Sequence, residues 1–135
     1  MSVLASQFAV ALVSFLVLDG LWLGVLMGGF YRDQLGPLAR MSAGGLAPIW
    51  PIAGLVYLLL AIGTVGFVAS RADTAGSAAL WGALFGLVVY GVYDLTNLST
   101  LRDWSPLLTC VDLVWGITAC AVAGWLTVVV PRWWQ

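Results

Sequence analysis

Three aspartates, Asp19, Asp94 and Asp112, lie inside long apolar runs, where a carboxylate is expensive. A charged side chain at the centre of a bilayer costs roughly 2.5–3.5 kcal/mol on insertion scales. Such carboxyls must be protonated, or paired and hydrogen-bonded. Either state is useful chemistry: a carboxylate in an apolar site can hold a proton, a cation or a hydroxyl-bearing head group. The sequence supplies neighbours of the right type in Tyr90, Tyr93, Asn97 and Arg102. The pattern Asp-x-x-Trp occurs twice, as Asp19 with Trp22 and as Asp112 with Trp115. This spacing sets carboxylate and indole one helical turn apart on one face. A buried indole N–H needs an acceptor and can find it on a neighbouring helix. The echo hints at a weak inverted repeat.

The elements that must position these groups are helices in lipid. The chain of 135 residues is 62% hydrophobic and 8% charged, with a mean hydropathy of +1.04. A soluble domain carries roughly 25% charged residues. Four apolar segments, at about 5–30, 48–70, 77–98 and 106–130, are each long enough to cross a hydrocarbon core of ~30 Å. Residues 1–135 therefore predict one all-α domain, a transmembrane four-helix bundle with antiparallel neighbours and both termini on one side. The first apolar run lacks a basic n-region and is too long for a signal h-region, so it reads as a retained first helix. Arg32, Arg40 and Arg102 flank one membrane face, and Arg71 and Arg132 the other, which leaves the orientation open.

Packing in lipid relies on small residues. Gly20, Gly24 and Gly28 form a row on the first helix, Gly82 and Gly86 on the third, and Gly116, Cys120 and Gly124 on the fourth. Continued along i,i+4 steps, the third-helix row passes Tyr90 and ends at Asp94, and the fourth-helix row starts at Asp112. Both aspartates should face inward. Asp94 closes the third helix and Asp112 opens the fourth, so both lie near the face of the first and third loops. Asp19 lies ~16 Å deeper from that face. Tyr31, Arg102 and Trp104 border it. The expected polar cluster is thus Asp19, Trp22, Tyr31, Tyr90, Tyr93, Asp94, Asn97, Arg102, Trp104, Asp112 and Trp115, opening toward that face. Trp50, Trp104, Trp133 and Trp134 also suit an interfacial belt, while Trp81 and Trp125 read as packing or lipid-facing.

Much chemistry is disfavoured. With no His, the usual metal ligand and general base are missing. No nucleophile with an activating base and no cofactor loop is evident, so no metal or cofactor is expected and an enzyme is the least supported class. A net charge of −1 gives no footprint for nucleic acid. Cys110 and Cys120, ~15 Å apart along one helix, are too far apart for a mutual disulfide.

The segments "LDGLWLG", "FYRDQLGPL", "YGVYDLTNLSTLRDWS" and "VDLVWG" resemble the signature of a family of small bacterial predicted membrane proteins, catalogued as a domain of unknown function. The resemblance covers essentially the whole chain. It implies four helices, a bacterial inner membrane, and Asp19, Trp22, Tyr31, Tyr93, Asp94, Asn97, Trp104, Asp112, Trp115 and Gly116 as signature positions; it implies no activity. The residues themselves favour binding or carrying a lipid-like or amphipathic small molecule, with the aspartates as the polar end of an aromatic-lined cavity. Two alternatives stand beside it: an accessory subunit of a larger membrane complex, and a small proton-coupled transporter acting as a dimer.

Overall fold

The computed structural model describes residues 2–133. Four helical spans cross the apolar region: Val3–Leu26, Trp50–Arg71, Ala75–Thr100 and Pro106–Trp133. Their starts are written in the sequence. Ser2 accepts from the Ala5 N–H and caps α1 (Val3–Leu21). Thr74 and Ser77 form a reciprocal capping box at the head of α4 (Ala75–Thr100). Ser105 caps α5 (Pro106–Val129), with Pro106 in the first turn, where its missing N–H costs nothing. α3 (Trp50–Gly63) begins two residues after Pro48, with Pro51 in its first turn.

The first span does not run unbroken to Phe30, as the apolar run alone suggests. After α1 the chain widens into a π-turn over Trp22–Leu26 and breaks at Met27 (φ −122°, ψ 3°). It then restarts as a separate helix α2 (Gly28–Leu35). A side chain at Gly28 would strike the Leu23 carbonyl, so the break needs a residue without Cβ there. α2 ends at Gly36, whose φ of +51° a side chain would resist. The rest of the first loop holds a 3₁₀ turn and a two-residue hairpin, Met41–Ser42 against Gly45–Leu46, which hydropathy gave no sign of.

The spans pack in a ring. The fourth lies against the third and the first, and the first lies against the second. The third and fourth approach most closely, through glycine. A Cβ at Gly82 would meet the Cys120 carbonyl, one at Gly86 the Gly116 carbonyl, and one at Gly124 the Ala78 carbonyl. The rows on these two helices therefore pack as the spacing predicts. The row on the first helix does not: Gly20 and Gly24 are exposed with no atom near a notional Cβ, and Gly28 serves the backbone break. The reason is geometric. α1 turns Ala11, Phe15 and Asp19 inward, and Gly20 and Gly24 fall off that stripe.

The second and third spans meet mainly near the second loop, through residues Thr64–Val68 and Ala69–Arg71. Gly63 admits the Phe85 ring at that meeting point. From there toward the first and third loops the two spans part. They leave an apolar groove of about 390 Å³ lined by Val56, Leu59, Leu60, Phe67, Phe85 and Val89.

Candidate functional site

The two Asp-x-x-Trp pairs meet across the interface of the first and fourth spans. The Trp115 indole donates to Asp19 Oδ1 at 2.8 Å. Trp22 stacks flat on Trp115, ring centroids 4.2 Å apart and planes 1° from parallel. The Trp22 indole donates to the Tyr31 hydroxyl at 3.0 Å, and that hydroxyl donates to Asp112 Oδ1 at 2.5 Å. Each tryptophan thus serves the carboxylate of the opposite helix, one directly and one through Tyr31.

The break at Met27 makes this possible. It swings α2 back so that Tyr31, buried at 7% exposure, reaches α5. A second tie holds α2 in place, where the Ser105 hydroxyl donates to Gln34 Oε1. Burial and the neighbouring Asp112 carboxylate both push the Tyr31 phenol above the ordinary tyrosine range. It therefore stays protonated and remains a donor.

Asp94, on α4, is fully buried. No donor reaches either of its oxygens; with the Thr64 hydroxyl, they are the buried side-chain polar atoms left without a hydrogen-bond partner among the described residues. Its polar neighbour is the carboxyl of Asp112. Tyr93 and Asn97 lie near each other on the same helix, and Tyr93 is exposed.

Three expectations need correction. The cluster does not open toward the loops. On the loop side Tyr31, Trp104 and Leu108 form a buried apolar cluster with Trp22, Met27 and Leu98. Trp104 is 8% exposed and donates to Thr109 Oγ1 at 3.0 Å, so it belongs to that apolar cluster and not to an interfacial belt. Arg102 is exposed, and among the described residues the one ion pair is Arg32 with Asp33. No cation neutralises the three aspartates. Trp50 and Trp133 are well exposed, as belt residues would be, and Trp81 and Trp125 face outward; Trp134 lies outside the described residues. Cys110 and Cys120 are both free.

Sequence reading overlooked Tyr57. From α3 its phenol lies beside the Asp19 carboxylate. It is the lone polar residue in the run "PIAGLVYLLLAIG", and that isolation was the available signal. Tyr57 and Tyr90, like Phe85 and Val89, pack against the buried cluster of Phe15, Leu60, Cys120 and Ala123; Leu60, Phe85 and Val89 also line the groove between the second and third spans. The Tyr90 ring lies on Gly116, where a Cβ would overlap it. Among the described residues no group of three His, Cys, Asp or Glu is placed to hold a metal.

The site combines carboxylate acceptors with indole and phenol donors. No curated protein and no solved structure matches the chain. Residues 4–129 match a family described as "Predicted membrane protein (DUF2177)". With four apolar spans and a match over nearly its entire length, this chain belongs to that family of multi-pass membrane proteins of unknown function.

Proposed function

We propose that the protein resides in the bacterial inner membrane and binds a single-chain amphipathic molecule with a hydroxyl-bearing head. The molecule enters sideways from the lipid, between the second and third spans. Its chain lies in the groove, and its head reaches Asp19, Tyr57 and Tyr90.

One juxtaposition supports the reading. The groove walls Leu60, Phe85 and Val89 belong to the same packed cluster as Tyr57 and Tyr90, and Tyr57 lies beside Asp19. The apolar furrow therefore adjoins a cluster that holds two phenols, one of them beside a carboxylate. About 390 Å³ falls within the roughly 300–1,000 Å³ typical of small-molecule pockets. Asp19 uses Oδ1 for Trp115; a carboxylate offers about four lone-pair sites, so it has capacity left for a ligand hydroxyl. Tyr31 and Trp104 belong to the buried apolar cluster on the loop side, and Asp19 is the carboxylate served from the lipid side.

Native mass spectrometry with monooleoylglycerol as probe tests this. The wild-type chain should retain one probe molecule. Asp19→Asn should weaken binding about tenfold or more, since hydrogen bonds to a charged group contribute roughly 1.5–3 kcal/mol. No bound probe, or equal binding by both proteins, would contradict the reading.

A further inference from the structure

Asp94 and Asp112 present a problem that the amphipath site does not solve. Asp94 is fully buried with neither oxygen hydrogen-bonded. The group it faces, Asp112, is itself an acceptor when ionised. Two ionised carboxylates cannot sit face to face in an apolar interior; like charges at a shared site force one to keep its proton. A proton on one member turns two acceptors into a donor and an acceptor, and the contact becomes a hydrogen bond.

The surroundings offer no other relief. The titratable groups facing the pair are Tyr31 from α2, Asp19 from α1, and Tyr90 and Tyr93 from α4. None of them is cationic, and no Arg is ion-paired to either aspartate among the described residues. A metal ion is a poor alternative, because hard cations want about six oxygen ligands and no third carboxylate or thiol is placed to join the pair. The proton fits, since it needs neither a cavity nor further ligands.

We propose that Asp94 and Asp112 together form a proton-binding site that holds one shared proton at neutral pH. Asp94, sealed in the bundle, is the inner member. Asp112 is half-buried and carries the Tyr31 hydrogen bond on Oδ1, so it is the outer member. This site is independent of the amphipath reading, which places its ligand at Asp19.

Infrared difference spectroscopy on the full chain in liposomes tests it through the C=O stretch of a protonated carboxyl. The wild-type protein at pH 7 should show one such band. Asp94→Asn and Asp112→Asn should each abolish it, because an Asn amide donates to the remaining carboxylate and removes the need for a proton. Asp19→Asn should leave it. If the wild-type protein has no band, the site does not exist. A band that survives Asp112→Asn assigns the proton to Asp94 alone, and one lost only in Asp19→Asn assigns it to Asp19; either result overturns the shared site. The two single Asn variants are independent, so one that fails to fold leaves the other to decide.

Discussion

Tyr31 shows how one residue draws its character from its neighbours. In a loop it would be an ordinary phenol with a pKa near 10. Here it accepts from Trp22, donates to Asp112 and is buried at 7% exposure. Ionising it would place a second negative charge beside a carboxylate in a dry site, so its pKa rises. Titration of tyrosinate absorbance through about pH 10 should therefore give the same amplitude for the wild-type protein and for Tyr31→Phe. A loss of amplitude in the variant would mean that Tyr31 ionises normally and is not held as described. The sequence identified Tyr31, Asp19, Asp94, Asp112 and both tryptophans as neighbours, because residue type and helical spacing carry that information. It could not show that Trp22 reaches Asp112 through Tyr31, since that depends on a turn at Met27. Arg102 was drawn in by charge complementarity alone, and the backbone leaves it in solvent.

At the scale of elements, glycine spacing was an incomplete guide. Rows at i,i+4 exist on three helices, but only the rows of α4 and α5 face each other. A row states that a close approach is allowed, and the inward stripe of larger residues decides whether it occurs. On α1 that stripe runs through Ala11, Phe15 and Asp19. Thermal unfolding in mild detergent should separate the two classes. Gly82→Ala or Gly86→Ala forces a Cβ onto a facing carbonyl and should destabilise by about 1–3 kcal/mol, as overpacking does. Gly20→Ala and Gly24→Ala meet open space and should stay within about 1 kcal/mol, on the favourable side that helix propensity predicts. A large loss at Gly20 would show that this face is covered in the assembled protein. The segment starts at about 77 and 106 lay within two residues of the observed starts of α4 and α5. The break at Met27 was not legible, because "LWLGVLMGGFY" is continuous in hydropathy and only its paired glycines hint at a bend.

At the scale of the molecule, the ring of four spans is closed on three sides and parted on the fourth. The wide side lies between the second and third spans toward the first and third loops. In the proposed reading this groove is the approach to Asp19 from lipid, while Tyr31, Trp104 and Leu108 form a buried apolar cluster on the loop side. Composition alone specified the four crossings. The groove was beyond its reach, because it arises from where two helices diverge and not from any residue pattern. The most direct measurement is monooleoylglycerol binding by Val89→Trp, which fills the groove from the third span and leaves Asp19, Tyr57 and Tyr90 in place. Native mass spectrometry should show a bound probe on the wild-type protein and none on this variant. A probe retained at the wild-type level would contradict entry and binding between the second and third spans.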